Sequence, residues 1–520
     1  MKKIYALLTL LAIQYALQAQ IPEDALRLTW HPTYGTARNQ AIGGTIIGLG
    51  GEITAAHNNP AGLGFYKNGE MVLSPGFNFG KNKTDYRGTA NQSNDKFSSF
   101  GLGTSGVIIA GAIDNKKIKS AALSFTINQT ANFNSNVYYK GLNNNSSAAE
   151  RYAEEFSASR LTPQDAIDNK FLSLPTRLAL YTYLVDTLTL NGVRQVVAMP
   201  EFTNGVMQEN RIEQRGGAHE LSLGIGANKN EKLFFGASLS MPILNYTRNT
   251  TYTETDATPA VTNNGFNNYT YTETLNTSGL GLNAKLGIIY RPVERVRFGA
   301  TIQSPTYYGL VDKTNGSMAV KIENLAAFPN RTFANTVNYS EQVFTNGAPS
   351  IENRYAFITP WKLGIGGSFV FRETENVKKQ RAFIAADLEY VTYRTMQYTG
   401  IAEEQATANQ FKATNSGIKD LYRNTINLKL GGELKLNTVM LRLGGAYYGN
   451  PNKDATLKQN IVQLTGGLGY RHKGIFIDAA YVHQMGSFVD SPYRLADKAN
   501  TFATAKNRTG TVMLTVGTKF

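Results

Sequence analysis

The stretch Leu233-Phe234-Phe235-Gly236-Ala237-Ser238-Leu239-Ser240-Met241 decides the fold of this chain. Every second residue from Leu233 to Met241 is apolar, whereas Gly236, Ser238 and Ser240 between them are small or polar. A period of two places the two sets on opposite faces of a β-strand. The stretch therefore predicts a strand with one apolar face and one polar face.

The same alternation recurs from about residue 71 onward and predicts fourteen strands. They lie near residues 71–79, 98–113, 118–139, 218–228, 232–249, 267–291, 295–310, 355–371, 381–397, 422–435, 438–449, 459–471, 474–485 and 509–520. The connections alternate between short turns and long polar loops, and a soluble sandwich has no reason to place every long loop at one end. A transmembrane barrel has tight turns at one end, long loops at the other and an even strand number. We therefore predict an all-β fold, a 14-stranded antiparallel transmembrane β-barrel over residues 71–520.

The composition excludes several other classes of protein. The chain has 520 residues, no cysteine and 17% charged residues, against roughly 25% in soluble domains. The run Gly106–Ile113, among the longest apolar runs after the N-terminus, is far shorter than the ~20 residues of a spanning helix. A helical membrane bundle, a disulfide scaffold and a thiolate metal site are therefore excluded. In a closed sheet all backbone hydrogen bonds run between strands, so lipid meets no unpaired polar group.

The two ends of the chain predict where the barrel resides. Residues 1–19 have a basic start, an apolar run and a small-residue cleavage site after Ala19, which predicts a secretory signal peptide; the alternative is a buried helix. The last strand, Thr511–Phe520, ends on an aromatic residue and resembles the signal that outer-membrane barrels present to the barrel-assembly machinery. We therefore expect a cell outer-membrane protein that contacts lipopolysaccharide. The net charge of +14 comes from scattered Lys and Arg, so we expect no nucleic-acid partner.

Two regions lack the strand period. Residues 20–70 are rich in glycine, as in Gly43–Gly51, and we expect them to form a plug in the barrel lumen, because glycine lets backbone segments pack closely. They lack the Lys-Ser/Thr of a phosphate-binding loop. Residues 140–217 have apolar residues at helical spacing, as in Ala148–Phe156, followed by Thr162-Pro163 as a helix start. We expect a partly helical extracellular insertion that packs over the barrel mouth or captures a ligand.

Several of these elements together resemble the outer-membrane long-chain fatty-acid transporter (FadL) family, which includes aromatic-hydrocarbon channels. They are Ala37-Arg38, Gly43-Gly44, the segment Asn59-Pro60-Ala61-Gly62-Leu63 before the first strand, and fourteen strands ending in Phe520. The chain departs from the family at Asn58, where an aromatic residue is usual, and in the larger loop at 140–217. The resemblance implies passive uptake of a hydrophobic molecule, such as a long-chain fatty acid or an aromatic hydrocarbon. External loops would collect it, an apolar pocket would hold it, and the plug would move to release it through a gap in the wall.

Such a lateral exit requires a strand with an interrupted hydrogen-bond ladder, and proline cannot donate to one. Pro75 in the first strand and Pro242 in the fifth are the candidates, with a rim or bulge position as the alternative explanation of each.

A carboxylate ligand would require a cation that faces the lumen. Lys285, Lys429 and Arg442 have the right strand phase, and His57 lies beside the plug segment. Acidic residues share the face of the three cations, so an ion-paired network is the alternative to ligand contact. These acidic residues are Asp387, Glu389 and Asp478.

The sequence contains no recognisable catalytic or metal-binding pattern. The five histidines lack metal-ligand spacing, and no nucleophile, base and orienting group can be assembled from them. We therefore expect no enzyme activity, no metal and no cofactor. Two other functions remain open, namely a FadL-like barrel that serves as scaffold or shuttle of a secretion system, and a general porin. The plug predicted at residues 20–70 argues against the open lumen of a porin.

Overall fold

The fold is described from a computed structural model. The structure describes residues 22–32, 34–90, 95–113, 117–190, 192–258, 263–324, 337–371, 381–400 and 405–520. The predicted signal peptide, residues 1–19, lies outside the described residues, and so does the predicted turn at 372–380.

Fourteen antiparallel strands form one closed sheet, as the sequence predicts. They are β1 (Glu70–Leu73 and Pro75–Tyr86), β2 (Asp95–Leu102 and Ser105–Ala112), β3 (Ile118–Asn132 and Ser135–Asn143), β4 (Val206–Lys229), β5 (Leu233–Asp256), β6 (Asn268–Val293), β7 (Val296–Gln303 and Tyr307–Lys321), β8 (Ile351–Ile358 and Lys362–Phe371), β9 (Ala382–Val391 and Gln397–Gly400), β10 (Thr425–Leu436), β11 (Val439–Tyr448), β12 (Ile461–His472), β13 (Ile475–Asp490) and β14 (Ala503–Lys519). The barrel closes because β14 pairs with both segments of β1. Short strands at Thr89–Ala90 and Val337–Ser340 extend the sheet at its long-loop end.

The period of two is visible in the burial of the side chains. Along β6 the outward residues from Leu280 to Tyr290 are apolar and exposed, whereas Asn283 and Lys285 between them point inward and are buried. This outward apolar stretch has the length of a membrane-spanning strand, about 9–11 residues. We call the band of such residues around the barrel the apolar belt.

β4 and β5 reach further towards the long-loop end than the sequence predicts. They have 24 residues each and, like the 26-residue β6, whose length was predicted, they continue well past the apolar belt. On β5 the outward residues there are polar, such as Asn249 and Thr251. The insertion expected at 140–217 is correspondingly shorter, because β3 reaches Asn143 and β4 begins at Val206.

The N-terminal residues lie inside the barrel and precede β1. They form α1 (Pro22–Thr29), α2 (Ala37–Ala41), α3 (Ala55–Asn58) and a 3₁₀ helix (Pro60–Phe65). We call residues 34–66 the lumen segment. Its two glycine pairs, Gly43-Gly44 and Gly50-Gly51, have φ values between +68° and +76°, a left-handed conformation that glycine adopts without strain.

The insertion at 144–205 forms a small domain, which we call the cap, over the long-loop end. It contains α4 (Ala148–Ser159), α5 (Pro163–Asp168), α6 (Leu174–Tyr181), a hairpin (Val185–Leu190 and Val193–Ala198) and a 3₁₀ helix (Met199–Phe202). Thr162 caps α5 with Pro163 at its start, as predicted. Tyr152 and Phe156 of α4 pack in one apolar cluster with Tyr252 and Tyr269 of the barrel strands.

One further helix, α7 (Gln405–Leu421), lies between β9 and β10, and its Phe411 packs near Tyr398. Two 3₁₀ helices, Glu341–Val343 and Tyr393–Thr395, complete the described elements. None of the described helices combines the length and the apolar content needed to cross a membrane.

Candidate functional site

Inward-facing glycines of the wall form the seat of the lumen segment. The backbone of Ile42 lies so close to Gly431 and Gly444 that a Cβ at either glycine would overlap it. Four further glycines of the wall also approach the lumen segment so closely that a Cβ would overlap it, at Ile47, Gly48, Pro60 or Gly64. These wall glycines are Gly226, Gly236, Gly299 and Gly366. The close packing expected of the segment's own glycines is therefore matched by glycines of the wall.

Polar contacts fix the segment on this seat. The carboxylate of Asp387, on β9, accepts the backbone N–H groups of Ile46 (2.7 Å) and Ile47 (3.0 Å). Asn59 is fully buried, accepts the N–H of Ala61 (3.2 Å) and donates to the carbonyl oxygen of Ile47 (2.7 Å). The predicted segment Asn59–Leu63 thus caps the 3₁₀ helix and joins two turns of the lumen segment.

Arg442 takes part in a buried ion network that links the wall to the lumen segment. It donates to Glu433 (2.6 Å) and to Asp478 (2.6 Å), and Arg38 of α2 also pairs with Glu433 (3.2 Å). This arrangement corresponds to the ion-pair alternative for Arg442.

A second buried network surrounds His57. Its Nδ1 lies 2.8 Å from a carboxylate oxygen of Glu220, and Lys285 donates to the same oxygen (2.6 Å). Nε2 lies 2.9 Å from the hydroxyl of Thr126. Burial lowers the pKa of His57, and the hydrogen bond to Glu220 opposes that shift. A neutral ring that donates from Nδ1 and accepts at Nε2 satisfies both neighbours.

The fourth predicted contact residue, Lys429, lies 5.8 Å from the centre of the Tyr448 ring. His57, Lys285, Lys429 and Arg442 all lie at the level of the lumen segment. They are not among the described residues that line the large cavity above it.

A cavity of about 2120 Å³ occupies the lumen between the lumen segment and the cap. One side of it is aromatic and includes His31 and Phe133, whose rings meet edge-on, 5.1 Å between centres. Tyr246 supports Phe133 from behind, with its ring edge-on at 5.2 Å. Burial lowers the pKa of His31 to about 4, so its ring is neutral at pH 7. Trp30 at the end of α1 and Tyr152 of the cap also line the cavity.

The same cavity contains a chain of ion pairs. Asp24 of α1 contacts Arg27 and pairs with Arg248 of β5 (3.3 Å), which also pairs with Glu273 of β6 (3.1 Å). The cavity is therefore amphipathic, with an aromatic side and a charged side.

The wall of the barrel is discontinuous between β2 and β3. The segment Asp95–Leu102 of β2 pairs with β1, but no backbone ladder joins it to β3 within the described residues. β3 itself is interrupted at Phe133 and Asn134, between its two segments. Side chains bridge the two strands instead, as where Asn132 donates to the hydroxyl of Ser99 (2.9 Å).

A second cavity, of about 780 Å³, lies at this discontinuity. Phe97, Asn134 and Thr509 line both cavities, so a single layer of side chains separates the lumen from the outer surface here. On its outer side the second cavity is lined by outward-facing residues such as Phe79 and Tyr481.

The two prolines predicted as gap residues lie at interrupted ladders. The ladder between β1 and β14 stops at Leu73 and resumes at Gly76, so Pro75 is skipped on that side, although it pairs with β2. The ladder between β5 and β6 skips Pro242 in the same way. Neither proline lies on the edge that faces the discontinuity between β2 and β3.

Several residues of this site were missed by the sequence reasoning. The break in β3 at Phe133-Asn134 was not predicted, because the prediction looked for interrupted ladders at prolines and there is none at this break. The position of Phe97 beside it has no sequence signal either. Helix α1 lies within the predicted plug at 20–70 but was not predicted as a helix, and α7 lies where a long loop was predicted. Among the described residues, no group of three His, Asp or Glu side chains could hold a metal ion.

Comparison with known proteins identifies the fold. No protein-family model and no curated protein matches the sequence. Among solved structures, the chain is similar to a FadL homologue of Pseudomonas aeruginosa, with a TM-score of 0.53 and 14% identity over 95% of this chain and 99% of that chain. It is also similar to the toluene transporter TodX of P. putida, with a TM-score of 0.50 and 13% identity over 95% and 99% of the two chains. The FadL-like barrel fold expected from the sequence is thereby confirmed.

Proposed function

We propose that this chain is an outer-membrane channel for passive uptake of hydrophobic molecules, such as long-chain fatty acids or aromatic hydrocarbons. One observation carries the proposal: the lumen cavity and the cavity in the wall meet at Phe97, Asn134 and Thr509. A solute that enters at the long-loop end therefore has a short path sideways through the wall. The lumen segment fills the path along the barrel axis.

The position of this exit favours an apolar solute. Phe77 and Phe100 lie on the outer surface beside it, and Phe100 is 86% exposed. A molecule that leaves here emerges at the edge of the apolar belt, where its apolar part can enter hydrocarbon, and burial of apolar surface is favourable by about 25 cal/mol per Å². A neutral sugar gains nothing on this route.

We infer that the large cavity is the external binding pocket. Its aromatic side, with Trp30 and Phe133, suits the apolar part of a ligand. On its charged side Arg27 and Arg248 are already paired with Asp24 and Glu273, so a carboxylate head would have to displace one of these partners. The aromatic side is therefore the part of the pocket that selects the ligand.

We infer that the N-terminal residues act as the plug and that α1 is its movable part. The lumen segment is held by buried backbone contacts against glycines, as described above. Helix α1 is tied to the barrel by partly exposed ion pairs, Glu23 to Arg494 (2.6 Å) and Asp24 to Arg248 (3.3 Å). Such pairs are individually weak, about 0–1 kcal/mol. The larger restraint on α1 is the burial of Ala25 and Leu26 in one apolar cluster with Phe133 and Tyr246, which its movement has to break.

The other functions expected from the sequence fit the geometry less well. A general porin requires an open lumen, and the lumen segment occupies it. A scaffold or shuttle of a secretion system has no use for a path through the wall. Transport also fits the sequence better than catalysis, for which we expect no residues. The predicted outer-membrane location, after signal-peptide removal, belongs to this proposal, as do lipopolysaccharide contact and recognition of the Phe520 strand by the barrel-assembly machinery.

A disulfide across the discontinuity tests the proposal. The chain has no cysteine, so a Ser99→Cys/Asn132→Cys pair forms the only possible disulfide, and the native side chains are 2.9 Å apart. The oxidised pair should abolish uptake of labelled oleate and toluene, and reduction should restore it. The matched control is Thr253→Cys/Thr270→Cys, whose native hydroxyls lie 3.1 Å apart in the uninterrupted part of the ladder between β5 and β6, above Pro242. Its oxidation should leave uptake unchanged.

The outcomes separate the alternatives. Wild-type uptake by the oxidised Ser99→Cys/Asn132→Cys protein, with the cross-link verified by mass spectrometry, would refute the lateral route. If liposomes that contain the wild type or the oxidised Ser99→Cys/Asn132→Cys protein swell in sugar solutions, the barrel conducts sugars and is a porin instead.

A further inference from the structure

Three basic residues lie side by side on the outer surface of the wall. Lys81 of β1 is directly opposite Lys96 of β2 on one side and Arg508 of β14 on the other. All three are on the outward-facing side of their strands, with Lys96 and Arg508 exposed. We call Lys81, Lys96 and Arg508 the cation row.

This arrangement is unfavourable unless an anion is present. Like charges directly opposite each other on adjacent strands destabilise a sheet. Within the described part of the chain, no carboxylate lies within 4.0 Å of Lys81, Lys96 or Arg508. The next row repeats the pattern, because Lys83 is opposite Lys506.

Some outward cations elsewhere on the barrel have carboxylate partners. Lys140 pairs with Glu209 (3.1 Å), and Lys313 pairs with Glu352 (2.9 Å). The three members of the cation row face one another instead.

The cation row borders the cavity at the wall discontinuity. Arg215 of β4 joins it there, and the described residues that line this cavity include no Asp or Glu. Arg215 approaches Glu213 only at 4.0 Å, at the limit of an ion pair. Four cations thus surround a pocket of about 780 Å³ that contains no carboxylate of the described chain.

The cation row lies at the edge of the apolar belt. On β1 the outward residues Phe77 and Phe79 directly precede Lys81, and on β14 the outward residue Val512 is followed toward the loops by Arg508. Phe77 also packs edge-on against Phe100 of β2, 5.4 Å between ring centres. Cations at the membrane interface next to an outward aromatic surface can bind an amphiphile, because the cations pair with its anionic head while the aromatic surface contacts its apolar chains.

We infer that the cation row and Arg215 bind the phosphate-bearing headgroup of an anionic membrane lipid, whose chains lie along Phe77, Phe79 and Phe100. The inference rests on the membrane placement in the proposed function. Four cations exceed the single charge of a departing fatty acid, and a phosphorylated lipid matches them better. The continuity with the apolar belt favours a lipid over a free anion.

Native mass spectrometry of the full barrel in nonionic detergent tests this inference. The probes are diphosphoryl lipid A, dioleoylphosphatidylcholine and oleate. The test variant is Lys81→Gln/Lys96→Gln/Arg508→Gln. The matched control, Lys140→Gln/Lys313→Gln/Arg354→Gln, removes three outward cations that have carboxylate partners at 3.1, 2.9 and 3.9 Å.

We expect the wild type to retain lipid A in preference to phosphatidylcholine, and the test variant to retain at least tenfold less lipid A. The control should retain the wild-type amount. Without lipid, the test variant should unfold at the same or a higher temperature than the wild type, because opposed charges have been removed; this shows that lost binding is not lost folding.

Equal retention of lipid A by the wild type and the test variant would overturn the inference, as would an equal loss in the control. Retention of oleate rather than lipid A, dependent on the cation row, would identify the transported ligand as the occupant and overturn it too. The assay requires no transport, so its result is independent of the uptake measured with the disulfide variants.

Discussion

Asp387 on the barrel wall accepts the backbone N–H of Ile46 in the lumen segment at 2.7 Å. The same carboxylate oxygen accepts the next N–H, that of Ile47, at 3.0 Å. Two consecutive N–H groups that point at one anion form a concave site of the kind that binds anions in many proteins. The wall thus holds the lumen segment by its backbone, at the point where Gly48 passes Gly366.

Asp387→Asn should loosen this part of the lumen segment. Hydrogen bonds to a charged group contribute about 1.5–3 kcal/mol, and the amide keeps the shape of the side chain but loses the charge. We expect the amides of Ile46 and Ile47 to exchange with deuterium roughly tenfold faster or more. Asp85→Asn removes an exposed carboxylate of β1 and should leave this exchange unchanged. Unchanged exchange in Asp387→Asn would show that the carboxylate does not hold the segment.

Gly431→Ala should displace the lumen segment from its seat. A Cβ at this position overlaps the carbonyl oxygen of Ile42, and overpacking of this kind costs about 1–3 kcal/mol. Gly309→Ala is the matched control, because a Cβ there has no neighbour within 4 Å. Thr45 is fully buried, so Thr45→Cys provides a unique thiol that should react faster with a maleimide in Gly431→Ala than in Gly309→Ala. Equal reactivity would contradict the close fit.

The sequence predicts the barrel well where lipid acts on it and less well elsewhere. Within the apolar belt the outward face is apolar and the inward face is polar, so the period of two marks every strand. Past the belt the outward face meets water and carries polar residues, such as Asn249 and Thr251. Both faces are then polar, so the alternation of apolar and polar residues disappears. For this reason the prediction began β4 too late, at 218 instead of Val206, and ended β5 too early, at 249 instead of Asp256.

The candidate site depends on relations between strands that a single sequence does not record. The cation row joins Lys81 to Lys96 and Arg508, and only the register of three strands brings them together. The contact of the wall glycines with the lumen segment could not be predicted for the same reason. Nothing in the sequence around Gly431 and Gly444 indicates that the backbone of Ile42 packs against them. The glycines of the lumen segment itself were recognised, since consecutive glycines such as Gly43-Gly44 are a local feature.

The contact between the cap and the loop at 491–502 should depend on pH. Burial and the neighbouring Asp497 together raise the pKa of Glu154 to about 7, while the backbone N–H of Ala496 (3.1 Å) opposes the shift. The ordinary pKa of a glutamate is about 4.3, so the folded protein binds this proton more tightly than the unfolded chain. The stabilisation is therefore full below about pH 4.3 and is lost as the pH rises through 7.

We expect the amides of residues 491–502 to exchange faster at pH 8 than at pH 5.5, after correction for the intrinsic rate. Glu154→Gln should remove this difference, because the amide is neutral at both values. Glu213→Gln, in β4 and outside the cap, should keep it. A pH dependence that survives in Glu154→Gln would assign it to another group.

Pro75→Thr should leave uptake unchanged. Pro75 interrupts the ladder between β1 and β14, whereas the proposed exit lies between β2 and β3, where Asp95–Leu102 has no ladder partner on β3 among the described residues. Threonine restores an N–H and favours strands, so any change should be a small stabilisation toward β14. Oleate uptake by cells that express equal amounts of each barrel is the measurement, and the oxidised Ser99→Cys/Asn132→Cys protein provides the blocked reference. A loss of uptake in Pro75→Thr comparable to that reference would move the exit to the seam between β1 and β14.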